Sequence, residues 1–395
     1  MTTTTPASHS LFLALLSLAI GGFCIGTTEF ATMGLLQEIA NNLHISIPHA
    51  GHLISAYALG VLIGAPLFAI LGARIPKKQF LISLMLFYGL ANVTTAFVHS
   101  YDLILLSRFV AGLPHGAYFG IASLVAAELA GPKRRATAVA RMMLGLTIAN
   151  VIGVPLATWI GQNFGWQAGF GFSGTVAFIT IVAILFFVPN IAIKDNESIL
   201  EELRGLKNIN MWLTLAVGAI GFGGIFAVYS YISPILLNYT HLKNDFIPIV
   251  LAIWGLGMVC SNFVSGYFAD KNLTKTTIGI LICSTLSFCI ALPMMGNIYT
   301  AVLALFLIGI SVLGLTTTLQ TRLMDVAGNA QSLAATLNHS ALNFANALGA
   351  FLGGWVLNKN LGWLSPIWVG IFLTLGGLMI FLIALKVEKS QSSLS

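Results

Sequence analysis

Polar residues in this chain gather in short clusters, and the stretches between them stay apolar for twenty residues or more. Such runs stand at about 10–37, 48–72, 79–98, 102–129, 136–162 and 166–189, then at about 211–237, 246–269, 276–296, 299–323, 330–357 and 363–385, each long enough to cross a bilayer. They lack the two-residue alternation of barrel strands and are too long for them. A helix also satisfies its own backbone in lipid. The pattern therefore predicts an all-α integral membrane fold of twelve transmembrane helices, six before and six after a central polar stretch. The expected division is a first bundle over 1–190, a cytoplasmic linker over 191–210 and a second bundle over 211–395.

Charge placement adds an orientation. The loops on one side collect Arg74, Lys77, Lys78, Lys133, Arg134, Arg135, Arg141, Lys194, Arg204, Lys207, Lys271, Lys275, Arg322, Lys386 and Lys389, while the other side has only Lys243 and Lys359. An excess of lysine and arginine marks the cytoplasmic side, so both termini are expected there. The formal charge of +6 follows from these loops and calls for no nucleic-acid partner. Charged residues make up 8% of the chain against about a quarter in soluble proteins. The N-terminus MTTTTPASHS has neither a basic leader nor a cleavage site after its apolar run, so the first run is read as a retained span. Cys24, Cys260, Cys283 and Cys289 fall within apolar runs without CxxC spacing and are expected as buried, reduced thiols.

The two sets of spans carry traces of duplication. Ala149-Asn150-Val-Ile-Gly153 with Trp159 recurs 196 residues later as Ala345-Asn346-Ala-Leu-Gly349 with Trp355. Gly165-Trp166 recurs as Gly362-Trp363, and Ala69-Ile-Leu-Gly-Ala-Arg-Ile-Pro-Lys-Lys78 is matched by Gly266-Tyr-Phe-Ala-Asp-Lys-Asn-Leu-Thr-Lys275, both 197 residues later. A nearly constant offset in matching spans points to two six-helix pseudo-repeats.

This organisation resembles the major facilitator superfamily over nearly the whole chain. Arg108-Phe-Val-Ala-Gly112-Leu-Pro-His-Gly116 looks like the family's RxxxGxxxG signature in span 4. Gly145-Leu-Thr-Ile-Ala-Asn-Val-Ile-Gly153-Val-Pro155 is similar to the span 5 motif of proton-coupled exporters, although Val154 separates its last glycine and proline. Gly26-Thr-Thr-Glu-Phe-Ala-Thr-Met-Gly-Leu-Leu36 resembles the span 1 motif of twelve-span drug:proton antiporters, in particular arabinose-efflux-permease-like and chloramphenicol-resistance exporters. The resemblance implies a monomer in the bacterial inner membrane that moves a small-molecule substrate against protons by rocking its halves about a midplane site, with no cofactor. It also implies gating roles for Arg74, Arg134, Gly153, Pro155 and Asp270. The first copy of the loop motif has Ala73 where the family carries an aspartate, and the second keeps Asp270.

Glu29, Arg108 and His115 are the ionisable candidates well inside the first six spans. At about 1.5 Å per residue, Glu29 is roughly 12 Å from the outer end of span 1 and Arg108 roughly 9 Å from that of span 4, hence at similar depth. An intramembrane charge is a functional candidate by default. A carboxyl whose arginine partner or hydration changes with conformation can load and release a proton, whereas a fixed Glu29–Arg108 pair would only join two helices. His115 follows Arg108 at i+7, open to a proton relay, to substrate contact or to a core role. Phe30, Met33 and Tyr118 flank these groups as candidate substrate contacts. Phe222, Phe226 and Tyr229 form an aromatic stripe in span 7, and Gln320, His339, Asn343 and Asn346 supply neutral polar groups from spans 10 and 11. Asn150 and Asn346, beside Gly153 and Gly349, suit cross-links between helices or contact with substrate.

Such a wall fits amphipathic or uncharged molecules. The leading expectation is proton-coupled efflux of drug-like compounds, and the alternative is sugar or nucleoside movement by symport or uniport. Without GxxxxGK[ST], HExxH or GxSxG, neither ATP drive nor an intramembrane enzyme is expected, and His49 with His52 has no third partner for a metal.

Overall fold

Every apolar run is helical in the computed structural model, which describes residues 8–72, 75–131, 134–190, 208–312, 314–327 and 331–392. The spans are Leu11–Gly34, Ile47–Phe68, Lys77–Phe97, Tyr101–Ala130, Thr137–Phe164, Trp166–Phe187, Ile209–Asn238, Asn244–Lys271, Leu273–Met294, Ile298–Val326, Leu337–Asn358 and Ser365–Gln391, numbered 1 to 12 in that order. No strand occurs among the described residues. Linker residues 191–207 and the candidate gate Arg74 lie outside them.

Several spans are interrupted, which the apolar runs do not reveal. Span 4 consists of Tyr101–Gly112 and His115–Ala130, broken where Pro114 withholds an N–H. Span 5 widens to a π turn over Ala149–Gly153, the segment that includes Asn150. Span 7 is made of Ile209–Gly221, Gly223–Tyr229 and Ile232–Asn238. A separate short helix, Leu36–Asn42, continues span 1 past Gly34. Breaks of this kind persist at membrane depth where the freed backbone faces protein.

One apolar core lies within spans 1 to 6 around Leu18, Tyr57, Tyr88, Tyr118 and Phe119. The larger core of spans 7 to 12 also takes in Phe30, Met33, Leu36, Ala50 and Ile54. The two sets of six are thus packed together at one end. Span 2 lies along span 11 and span 5 along span 8, with Gly255 of span 8 against the backbone carbonyl of Asn150. Glycine is required there, since any Cβ would meet that carbonyl.

The joined end is the charge-poor face. Among the described residues, hydrogen bonds between the halves are Asn346 to Glu29 and Ser55 to Ala347, then Gln162 to Asn244 and Asn238 to Gln37 nearer that face. Among the described residues none is found toward the basic face. The outer surface of the bundle is apolar, with Phe97, Phe186, Phe263 and Phe372 exposed as lipid-facing groups.

Two expectations need correction. Cys24 is buried, its thiol donating to the Ser173 carbonyl at 3.1 Å, but Cys283 and Cys289 are exposed; an apolar run in lipid has an outer side too. Arg322, expected among the loop charges, is buried in span 10, 2.8 Å from Glu388 and with Phe381 beneath its guanidinium.

Candidate functional site

The centre of the site is a carboxylate on the seam between halves. Glu29 is 8% exposed, and its Oε1 accepts a hydrogen bond of 3.3 Å from Nδ2 of Asn346 in span 11. Successive helical positions turn by about 100°, so Thr28 faces the interior of its own half while Glu29 faces the other. Arg108 consequently does not pair with Glu29. Its NH2 donates to the Thr28 carbonyl at 3.4 Å and its NH1 to Oδ1 of Asn92 at 3.3 Å. The guanidinium also lies 4.5 Å from the Tyr57 ring centroid and 4.9 Å from that of Phe170. Neutral carbonyl, amide and ring faces hold a wholly buried cation that has no carboxylate within ion-pair distance.

Tyr57 connects this cation to the histidine. Its hydroxyl is 3.0 Å from Nδ1 of His115, whose ring also touches Phe119. His115 begins the second helix of span 4, so the Pro114 break places it toward span 2 rather than on a continuous arginine face. His339 of span 11 lies within electrostatic reach of His115 across the seam.

An aromatic ladder stands beside Glu29. Phe30 stacks on Phe226 with centroids 6.4 Å apart and meets Tyr229 at 5.6 Å; Tyr229 in turn lies flat on Trp254 of span 8 at 4.9 Å. Phe222 touches Phe226 edge-on, and Met33 belongs to the same apolar cluster. The indole N–H of Trp254 is buried without a partner.

The remaining candidates separate. Tyr118 donates to the Leu18 carbonyl at 2.9 Å within the first half's core, so the structure does not bring it to the ladder. Asn150 does not cross-link helices through its side chain, because its Nδ2 bonds the Leu146 carbonyl of its own span. Asn343 likewise bonds His339 in its own helix, and Gln320 accepts from Asn338 at 2.7 Å. The amide oxygens of Asn150, Asn338, Asn343 and Asn346 are left buried without partners. Gly153 closes the π turn against Thr27 and Phe23 of span 1, and Pro155 opens the helix after it. Asp270 and Arg134 are exposed and form no ion pair with each other.

Tyr57, Asn92 and Trp254 join the site without having been singled out from sequence. Asn92, a polar residue inside an apolar span, is the only one of the three with a recognisable signal. A surface cavity of about 350 Å³, lined by Ile47, Pro48, Leu357, Asn360, Gly362 and Trp363, lies on the charge-poor rim away from Glu29. No cluster of three metal-ligating side chains is found among the described residues.

Comparison with known proteins agrees with this architecture. The sequence profile of the Major Facilitator Superfamily matches residues 18–341. "Inner membrane transport protein YdhP" of Escherichia coli (strain K12) is 38% identical over 374 residues, covering 94% of this chain and 96% of its own. "Putative transporter AraJ" of the same strain is 32% identical, covering 88% and 89%. A "Chloramphenicol resistance protein" of Streptomyces lividans is 28% identical, covering 93% and 95%. Among solved structures, nucleoside transporter NupG superposes with a TM-score of 0.75 at 14% identity, over 95% of this chain and 99% of that one.

Proposed function

The chain belongs to the major facilitator superfamily, a family of membrane transporters rather than enzymes, and from that premise we propose that it is a proton-coupled exporter of small amphipathic or uncharged molecules. In this reading residues 1–190 and 211–395 are the two moving bundles. The basic face is cytoplasmic, as the excess of arginine and lysine indicates. The observation that carries the reading is the hydrogen bond from Asn346 to Glu29, which spans the seam with no guanidinium on the carboxylate. When the halves rock, this contact must stretch or break, and the partner and hydration of Glu29 change with it. Proton binding is thereby linked to which side is open. The ladder from Phe226 through Phe30 and Tyr229 to Trp254 offers flat apolar faces beside the carboxylate.

The test is uptake into everted or reconstituted vesicles under an imposed pH gradient, with chloramphenicol, cationic dyes and pentoses as substrates. Wild-type transport of at least one drug-like compound should follow the gradient, and Glu29→Gln should uncouple it. Gradient-driven transport that survives Glu29→Gln rejects Glu29 as the coupling site. A second reading, sugar or nucleoside transport by symport or uniport, draws on the four unpartnered amide oxygens of Asn150, Asn338, Asn343 and Asn346, which suit hydroxyl donors. Pentose flux indifferent to the gradient would favour it.

A further inference from the structure

A second carboxylate lies on the seam, far from the ladder. Glu38, in the short helix Leu36–Asn42, stands at the charge-poor end where the halves touch. Around it two bridges join the halves: Asn238 Nδ2 donates to Oε1 of Gln37 at 3.0 Å, and Gln162 Nε2 donates to both the backbone and side-chain oxygens of Asn244 at 3.1 Å. Both carboxylate oxygens of Glu38 are closed off from solvent, and neither receives a hydrogen bond of good geometry.

The surroundings offer no counter-charge. Lys243 and Asp245 flank Asn244 across the seam, His49 and His52 lie on span 2, and Glu29 lies further down span 1; none forms an ion pair with Glu38. The helix from span 7 that packs on this segment, Ile232–Asn238, contributes no titratable side chain. Burial pushes the Glu38 carboxyl above the ordinary carboxylate range, and the nearby amides of Asn244 and Gln162 and its own backbone N–H offset only part of that.

We propose that Glu38 is a proton-operated latch on the outer seam: the charge-poor side closes with Glu38 neutral and is driven open when Glu38 ionises. Closing the seam takes the carboxyl out of water between two neutral amides, so an ionised Glu38 opposes closure and a neutral one permits it. The sign follows from linkage. A group that holds its proton more tightly in the closed state favours closure as pH falls. Closure is lost as pH rises through the closed-state value, with the open-to-closed ratio changing by at most about tenfold per pH unit for one proton. Outside acidity would then shut the door behind an arriving proton. The competing account is a static one, in which Glu38 merely complements the positive end of its short helix and would act alike at every pH.

The proposal rests on the reading of the chain as an alternating-access transporter, but it can fail separately from the role of Glu29. The full chain, with Cys260, Cys283 and Cys289 replaced by alanine, is spin-labelled at His99→Cys and Tyr299→Cys. These two exposed positions lie on the charge-poor side of opposite halves. Distances are measured in lipid nanodiscs from pH 5 to pH 9 by pulsed electron resonance. The wild-type background should pass from short to long distances as pH rises, Glu38→Gln and Glu38→Leu should stay short throughout, and Glu29→Gln, which also sits on the seam, should shift the open-to-closed ratio but keep a pH-dependent transition. A wild-type distribution that does not move with pH overturns the latch. So does a Glu38→Gln protein that keeps the wild-type midpoint or stays open. A transition abolished by Glu29→Gln and untouched by Glu38→Gln also overturns it, and assigns the titration to Glu29. Glu38→Leu covers the case in which Glu38→Gln yields no monodisperse protein.

Discussion

Adding one methyl group at Gly51 should pry the charge-poor face open. Gly51 lies in the second turn of span 2, and a Cβ built on it meets the hydroxyl of Tyr231 in the other half. That hydroxyl is fixed: Tyr231 is wholly buried, it donates to the Ala350 carbonyl at 2.8 Å, and Gly354 crowds it from span 11. Relief requires span 2 to withdraw by about an ångström or the tyrosine to give up its hydrogen bond, and overpacking of this kind costs about 1–3 kcal/mol. The penalty falls on the closed arrangement alone, so Gly51→Ala should raise the open-to-closed ratio by about 5–150-fold. The His99–Tyr299 spin-label pair reads this as growth of the long-distance population at a fixed pH. Gly279→Ala supplies the control for helix propensity, because a Cβ there meets nothing within 4 Å. Tyr231→Phe should partly rescue Gly51→Ala, since it removes the hydroxyl and leaves the ring carbon Cζ as the nearest atom at 2.9 Å, at the loss of a hydrogen bond of about 1 kcal/mol. If Gly51→Ala and Gly279→Ala give the same distances, or if Tyr231→Phe fails to rescue, the closed seam is not held by this contact.

Three further changes address the centre. Asn346→Leu removes the donor to Glu29, and since its bond to a charged carboxylate exceeds that to a neutral carboxyl by about 1–1.5 kcal/mol, the pH profile of transport should move by about one unit while the folded protein persists. An unmoved profile would make Asn346 a packing residue. Arg108→Lys keeps the charge but cannot lie flat on both Tyr57 and Phe170, so the melting temperature in detergent should fall, with about 2 kcal/mol at stake in the ring contacts; an unchanged melt would show the contacts to be incidental. Trp254→Phe preserves a flat ring against Tyr229 and deletes a buried N–H without a partner, so stability should hold or rise while substrate binding weakens, as read by tryptophan-independent equilibrium binding. Unchanged affinity would assign Trp254 to packing alone.

The spans were legible from the sequence because lipid imposes one requirement everywhere: an apolar run of sufficient length closed into a helix. The breaks were not legible from hydropathy, which scarcely changes through Gly112-Leu-Pro-His115 and Ala149–Gly153; Pro114 is a local signal for the first, while at the π turn only packing decides whether a turn slips. Glu29, Arg108 and His115 stood out as charges or titratable groups in apolar surroundings, and the structure places all three near the seam or the aromatic groups beside it. Their pairing was not legible. Depth along two helices can be counted from residue numbers, but the direction of a side chain depends on rotation, and rotation turns the Glu29 side chain toward Asn346 while the arginine takes the backbone carbonyl of Thr28. Tyr57 was hidden for a related reason: a tyrosine in a span is unremarkable until its ring is found between Arg108 and His115.

The separation of Arg108 from Glu29 bears directly on what a coupling carboxylate needs. A carboxylate gripped by a buried guanidinium keeps its charge and costs several kcal/mol to separate, so it resists giving up its place to a proton. Here the guanidinium is held by a carbonyl, an amide and two rings of its own half, with its Nε left unpartnered, while the carboxylate faces an amide of the opposite half. An amide donor accommodates either protonation state of its partner, because the carboxyl group retains an acceptor oxygen when it is neutral. The cation is thereby fixed in place as a nearby field, and under the proposed function the group that exchanges its proton is the one on the seam between the halves. A static interhelix pair would have brought the two charges of the first half into contact, and that contact is what the structure lacks.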